Sequence, residues 1–336
     1  MIDFPRLAIP FLRIKSIVFF FAIVILSTFL RAEEVYPNKP IEMIVGFGVG
    51  GSTDTLARSM APYLSKILNV PIHVRNIPGR GSATAIETFL KTHNDGYTIL
   101  CSAFSPFFLE AILREGTHFA ITDLDYLNIQ SYGFDIVAVN GKSTISTLPE
   151  LLIALKNPTK IFKIAVVENS NGYLLLRLMF EAMNIPITNV EIHRYNSDYD
   201  ARSAIVKGDM DAIFVSSKGG ELIRESITPL AINAQERQLE WDIPTVNEAL
   251  IPLGFQVPLI PDYMRGFAVQ QSLKDVYPDR YEKLHNAFML LMAKKSVQRD
   301  LKKNKVGGTW TGPENSTQML NDAFSLFKKY NDLLEN

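Results

Sequence analysis

The residues best suited to chemistry crowd into one turn. Gly46, Gly48 and Gly51 stand in the order G-x-G-x-x-G within "PIEMIVGFGVGGSTDTLARSM", residues 40 to 60. An apolar run, Ile41 to Val45, precedes them, and Leu56, Ala57, Met60, Leu64 and Ile67 follow at helical spacing. Glycines let backbone N–H groups approach an anion at the positive end of the following helix, so the turn reads as an anion site. Two anions fit it, a dinucleotide pyrophosphate or a smaller acid. A dinucleotide needs a second strand that ends, about 20 residues on, in an acidic residue for the ribose hydroxyls. The next strand candidate, "PIHVRN", ends in Arg75 and Asn76, which leaves only the 2′-phosphate of NADP as a partner for that reading.

Catalytic constellations are missing from the sequence. The five histidines, at 73, 93, 118, 193 and 285, lie far apart and show no zinc spacing. No G-x-S-x-G elbow and no P-loop occurs, and Cys101 closes the apolar run "YTILC", where a buried, inert thiol is expected. The expectation is a protein that is not an enzyme and carries no cofactor and no metal. Two further turns resemble the first in composition: "NIPGRGSAT", with Gly79 and Gly81 before another helix, and "CSAFSPF", with Ser102 and Ser105. At the carboxyl ends of strands in a doubly wound sheet, all three would converge on one crevice. The plainer alternative is that they are helix caps, with Ser52 and Ser82 as ordinary N-cap residues.

Strand-like and helix-like segments alternate along the chain, the pattern of an α/β fold in which a mostly parallel sheet is flanked by helices. The first half supplies strands near 41–46, 71–75 and 97–101 and helices near 53–68, 83–91 and 107–114. After "GFDIVAVNGKST" come a helix near 147–156, a strand at 162–167, helices near 173–183 and 198–207, and strands at 211–215 and 229–233. A proline-marked stretch then leads into helical patterns near 280–304 and 314–334.

Arg6, Arg13 and Lys15 precede the apolar run Ile17 to Leu26, and "LRA" ends at Ala32, so residues 1–32 read as a secretory signal and the protein as periplasmic, the alternative being an uncleaved membrane anchor, for which the run is short of the ~20 residues that span a bilayer. Taking away that segment, with four basic residues and one acidic, moves the formal net charge from −1 to −4. Mild acidity argues against nucleic acid as a partner. With Cys101 as the single cysteine, no intrachain disulfide forms.

The motifs together resemble a known family. Lys39-Pro40-Ile41, Gly50-Gly51 through Asp54, Asn76 through Gly81 in the form N-x-P-G-x-G, and Asp95-Gly96-Tyr97-Thr98 follow one another in order. This series is similar to the first lobe of the Bug-type extracytoplasmic solute receptors, the binding components of tripartite tricarboxylate transporters. "GDMDAIF", "PLAINAQER" and "DIPTVNEAL" carry the resemblance more weakly toward the C-terminus. The resemblance implies a two-lobed periplasmic-binding-protein fold of type II-like form, each lobe a mostly parallel sheet flanked by helices. Lobe 1 would comprise residues 33–134 and 234–336, the latter with the C-terminal helices, and lobe 2 residues 135–233. It also implies a monomer that binds a small-molecule carboxylate and hands it to the membrane permease subunits of a transporter.

On that reading Gly50, Gly51, Ser52 and Thr53 present N–H or hydroxyl donors to a ligand carboxylate, with Ser102 and Ser105 in the third turn. Asp54 is either an acid favoured in a helix first turn or a partner for a ligand ammonium or hydroxyl. In the second half, "VVENSNGYLLLRL" keeps Gly172 but places leucines where the family has a histidine, and "HRYNSDYDA" keeps Tyr195 and puts Asn196 where the family has a lysine. Gly172, Tyr195 and Asn196 complete the expected site. Two other functions fit the same residues: a secreted ligand-binding sensor component without a transporter, and an exported nucleotide-dependent oxidoreductase.

Overall fold

The chain folds around two five-stranded sheets. The computed structural model describes residues 35–113, 117–131, 133–168, 170–260 and 263–335. The expected signal segment, residues 1–32, lies outside the described residues. Residues 35–38 contain neither helix nor strand, and the chain from Lys39 onward forms one unit.

The first sheet begins where the sequence is most apolar. Strand β1 (Ile41–Val45) is followed by helix α1 (Ser52–Leu68), β2 (Ile72–Asn76), α2 (Ala83–Leu90), β3 (Thr98–Ser105), α3 (Phe107–Leu113) and β4 (Leu124–Ser131). The second sheet contains β5 (Asp135–Asn140), α4 (Leu148–Lys156), β6 (Phe162–Val167), α5 (Asn171–Met183), β7 (Val190–Tyr195), α6 (Asp198–Lys207), β8 (Ala212–Ser216) and β9 (Ile227–Ile232). The chain then passes through α7 (Val246–Leu250) and returns to the first sheet as β10 (Met264–Gln270). After a single helical turn at Leu273–Val276, four further helices close it: α8 (Pro278–Met292), α9 (Lys295–Lys303), α10 (Gly312–Lys329) and α11 (Asn331–Glu335).

The strand orders are β2-β1-β3-β10-β4 and β7-β6-β8-β5-β9. In the first sheet β1 is parallel to β2 and β3, whereas β10 is antiparallel to β3 and β4. In the second, β6 is parallel to β7 and β8, and β5 is antiparallel to β8 and β9. Four strands of each sheet therefore run one way and one runs against them. The reversed strand is in each case the one by which the chain enters that sheet from the other.

Local signals explain most element ends. Helix α1 buries Leu56, Ala57, Met60, Ala61, Leu64 and Leu68 on one face and stops at Asn69, in the left-handed conformation that asparagine tolerates. Thr147 and Glu150 form a capping box at α4, and α6 runs from the Ser197 cap to Gly208. Sequence periodicity missed β4, β5, β7 and β10 as separate strands. It also joined α8 to α9, which part at Ala293–Lys294 without proline or glycine; there Gln298 Nε2 donates to the Met292 carbonyl at 2.7 Å and turns the chain.

The C-terminal helices bind to both halves. Ser316 of α10 accepts the Ile129 N–H of β4 at 2.8 Å, and Asn128 Oδ1 accepts the Thr311 and Gly312 N–H groups at 2.8 and 3.0 Å. The next helix, α11, packs on α5. Trp241 and Ile243, after β9, are buried with Ile136 and Ile213 of the second sheet, so this segment belongs to that sheet's core. Among the described residues no helix is long and apolar enough to cross a membrane.

Candidate functional site

The glycine turn owes its shape to contacts that only some of its glycines make. At Gly46 an added Cβ would lie 1.9 Å from Ser82 Oγ, in a space already filled by the Ser82–Ser102 hydroxyl pair at 2.6 Å. Gly50 has φ of 82° and needs its glycine for that reason. Gly51, with φ of −70°, is extended and serves as the N-cap of α1. Ser52 therefore occupies the first helical position instead of the cap, and its hydroxyl is not used there.

A buried carboxylate ties the turn down. Asp54 accepts the Gly50 N–H at 2.9 Å and Asn76 Nδ2 at 2.9 Å, with Arg58 Nε 3.0 Å away. Asn76 Nδ2 also reaches the Phe47 carbonyl at 2.9 Å. Burial pushes the Asp54 pKa up, but the hydrogen bonds from Arg58, Gly50 and Asn76 outweigh it and hold the carboxyl below its ordinary range. The two readings of Asp54 thus separate: it is the internal brace of the turn. Arg75 is also engaged, with Nε 2.6 Å and Nη2 3.1 Å from the Glu42 carboxylate across β1 and β2.

Beyond the turn lies a cavity of about 480 Å³. From the first sheet it is lined by Phe47, Gly48, Val49, Gly51, Ser52, Thr53, Gly81, Ala103, Phe107, Tyr263 and Arg265. From the second it receives Val167, at the end of β6, and Asn196, Ser197 and Asp198, which lead into α6. The N-termini of α1 and α6 thus meet it from opposite sheets. Phe107 stands between Phe47 and Tyr263, with centroids 5.8 and 5.7 Å apart, giving the cavity an aromatic wall. The Arg265 guanidinium lies 5.0 Å from the centre of the Tyr263 ring. Register shifts on both sides of Arg265 interrupt the β10 ladder, and such bulges re-aim a side chain.

Two smaller spaces adjoin. One, of about 280 Å³, shares Ser52, Asp198 and Arg265 with the main cavity and adds Arg202, Lys218 and Lys305. The other, of about 210 Å³, is lined by Arg80, Glu110 and Glu168 among others. The loop preceding α2 carries four consecutive residues with positive φ, Gly79, Arg80, Gly81 and Ser82, a strained conformation of the kind found at functional loops.

Of the ten residues expected to form the site, Gly51, Ser52, Thr53 and Asn196 line the main cavity. Gly50 and Asp54 stand behind it as described. Ser102 and Ser105 are fully buried, with Ser102 committed to Ser82. Gly172 is a packing glycine: a Cβ there would come within 2.3 Å of the Phe214 carbonyl of β8. Tyr195 packs against the buried cluster of the second sheet. These six lie outside the linings of all three spaces. Burial first, and Asp54 next, raise the Cys101 pKa, in keeping with an inert thiol.

Sequence reading missed Arg265 and Tyr263, while Phe107 of "CSAFSPF" and Asp198 of "HRYNSDYDA" lay in turns expected at the cleft without being singled out as site residues. The signal for Arg265 was a lone cation in the apolar run "MRGFAV", followed by Gly266, where a Cβ would lie 2.1 Å from the Asn128 carbonyl. Among the described residues no group of three or more His, Cys, Asp or Glu could hold a metal ion.

A family model described as "Tripartite tricarboxylate transporter family receptor" matches residues 56–325. Protein BugT of Bordetella pertussis is 43% identical over 74 residues, 22% of this chain and 23% of that protein. A TctC solute binding protein from Polaromonas, solved without ligand, superposes with a TM-score of 0.71 at 20% identity, covering 88% of this chain and 99% of the other. An R. palustris protein solved with adipate superposes with a TM-score of 0.69 at 17% identity, covering 89% and 98%. These likenesses show a two-lobed α/β binding-protein fold, and the family is one of substrate-binding receptors.

Proposed function

Since the chain belongs to the tripartite tricarboxylate transporter receptor family, we propose that it captures a small carboxylate-bearing solute between its two sheets and delivers it to the membrane permease subunits of a transporter of that type. The observation that carries this reading is the cavity where the N-terminus of α1 and Arg265 face Asn196, Ser197 and Asp198 across the cleft. On this reading the N–H groups of Ser52 and Thr53 and the Ser52 hydroxyl donate to one carboxylate, and the Arg265 guanidinium balances its charge. The aromatic wall of Phe47, Phe107 and Tyr263 covers the apolar body of the solute.

Anion contacts at a helix start contribute about 0.3–1 kcal/mol each when exposed and up to ~2 when partly buried. Micromolar binding requires about −8 kcal/mol, so a charged partner must add to them, and Arg265 is that partner. The adipate seen in the R. palustris neighbour is a solute of the proposed class. The basic and apolar N-terminal segment supports export to the periplasm, where the protein would act as a monomer.

The test is a thermal-shift screen followed by calorimetry with mono-, di- and tricarboxylates, acidic amino acids and aromatic acids, because a ligand specific to the folded state raises its stability. The best acid should lose roughly 2 kcal/mol of affinity in Arg265→Gln, or about thirtyfold, and should be recovered chemically unchanged. Affinity unaltered by that substitution, or an NADP molecule released on denaturation, would refute the assignment.

A further inference from the structure

Two phenylalanines open α3, and they face opposite ways. Phe108 fills the core, fully buried, with its ring centroid 5.8 Å from Phe104 and 5.6 Å from Phe119. Phe107 turns to the cleft instead. It lines both the 480 Å³ cavity and the 210 Å³ space beside it, as does Val167 from the end of β6 in the second sheet. A ring from one lobe and a branched side chain from the other therefore stand where the two spaces meet, on the path along which a solute body would lie.

The strained loop before α2 is shaped around this ring. A Cβ on Gly81, where φ is 59°, would lie 3.3 Å from Phe107 Cβ and 3.6 Å from the Phe107 carbonyl oxygen. Any side chain at 81 would press on the residue that opens α3. The run of positive φ from Gly79 to Ser82 is clamped on both flanks, by the Ser82–Ser102 hydroxyl pair at 2.6 Å and by Arg80 Nη2 on the Glu87 carboxylate at 2.6 Å. The cavity wall continues in the same chemistry. Apart from Arg265 and Asp198, its larger side chains are those of Phe47, Val49, Phe107, Val167 and Tyr263. A ring or methylene laid on that surface gains by leaving water, whereas a hydroxyl or second carboxylate gives up its hydration there. The space beyond Phe107 carries the Glu168 carboxylate, and its cation, Arg80, is the one engaged by Glu87.

We propose that Phe107 is the specificity-determining residue of the cleft and that, positioned by Gly81, it selects a carboxylate with an aromatic body over hydroxylated di- and tricarboxylates. The inference rests on the reading of the main cavity as a carboxylate site and adds the class of solute. The carboxylate lies at the α1 N-terminus and Arg265, and the solute ring packs against Phe107 with Val167 closing on it from the second lobe. Gly81 acts through Phe107 and touches no solute: its missing Cβ is what lets the first turn of α3 bring the ring to the cavity.

The experiment is calorimetry on wild-type protein, Phe107→Ala, Phe107→Leu, Gly81→Ala and the Gly81→Ala/Phe107→Ala double variant. The probes are propionate and 3-phenylpropionate, the amide 3-phenylpropionamide, and the series succinate, malate, tartrate and citrate. Wild-type protein should bind 3-phenylpropionate at least tenfold more tightly than propionate, and each hydroxyl added from succinate to tartrate should weaken binding about threefold or more. Phe107→Ala should bring the two monoacids to within about threefold of each other, and Phe107→Leu should restore part of the difference. Gly81→Ala should weaken 3-phenylpropionate about threefold, and that effect should vanish in the Phe107→Ala background, which a purely structural role for Gly81 would not produce. A Tm for Phe107→Leu within about 3 °C of wild type separates lost selectivity from lost folding. Tighter binding of tartrate or citrate than of 3-phenylpropionate, or a ring preference that survives Phe107→Ala, overturns the selection and leaves the carboxylate cleft standing. An amide bound as tightly as its acid does the reverse, and no response to any acid overturns both.

Discussion

On one wall of the cleft, the loop after β1 is held from behind by a buried carboxylate; on the other, the loop after β7 is held by the side chains that also face the cavity. Asp54 is not part of the lining, yet it anchors Gly50, Asn76 and Arg58. Ser197 lines the cavity and at the same time caps α6, accepting the Asp200 N–H at 3.2 Å. Asp198 lines it and holds the Ser216 N–H. The first wall therefore offers main-chain donors whose position is independent of the residues touching a ligand. On the second wall, a change in lining chemistry is also a change in local stability.

The largest expected effect compares a glycine beneath each wall. A Cβ at Gly172 meets the Phe214 backbone at 2.3 Å, whereas one at Gly46 meets the Ser82 side chain at 1.9 Å. Backbone in a central strand cannot step aside, and a hydroxyl can adopt another rotamer at the cost of its partner. Gly172→Val should lower the free energy of unfolding by more than ~3 kcal/mol and Gly46→Ala by about 1–3 kcal/mol in urea denaturation. A Gly172→Val protein of wild-type stability would show that α5 can lift from β8, and the second wall would then be the more adaptable.

Next in size is the brace itself. Asp54→Asn keeps the shape but removes the charge that Arg58 and the Gly50 N–H address, for a loss of about 1–3 kcal/mol at neutral pH. Because the folded pKa of Asp54 lies below its ordinary value, its stabilisation is fully present above the unfolded pKa, near 3.8. It disappears as pH falls through the lowered folded value. The difference between wild type and Asp54→Asn should therefore shrink from pH 7 toward pH 3. A gap that stayed constant would mean that the carboxylate contributes by packing alone.

The first wall was the legible one for a physical reason. Main-chain recognition demands glycine at particular positions, so "GFGVGGSTD" stands out in the sequence whatever the ligand. The α/β class was legible too, since β1, β3, β6 and β8 are apolar runs buried on both faces. Side-chain recognition leaves no such trace. Asn196 was named because it stands where the family has a lysine, but Tyr195 beside it packs against the buried cluster of the second sheet, and one residue of register decides between the two. Arg265 was hidden because β10 follows a proline-marked stretch, pairs with β3 and β4 far away in sequence, and owes its aim to bulges that only the pairing creates. The helix breaks at Ala293–Lys294 and Tyr330 carry neither proline nor glycine as a local signal.

The smallest and sharpest comparison sets Ser52 against Ser197, two serines at the starts of helices on facing walls. Sequence alone offers Ser52 as an ordinary N-cap and says nothing of Ser197 in that role. In the structure Gly51 is the cap of α1, and Ser52 lines the cavity from the first helical position. Ser197 is a true cap, and its hydroxyl also lies 2.7 Å from Asp200 Oδ2. Ser197→Ala should cost about 1 kcal/mol of stability by loss of the cap. Ser52→Ala should leave stability within about 0.5 kcal/mol of wild type or raise it slightly, because alanine is the better residue inside a helix. In binding the order reverses for a carboxylate seated on α1: Ser52→Ala should lose about 0.5–1.5 kcal/mol of affinity, the worth of one hydrogen bond. Parallel melting curves and titrations of the two variants test this directly. Should Ser52→Ala lose stability like a cap while keeping its affinity, the carboxylate does not rest on the α1 terminus, and the second wall holds it instead.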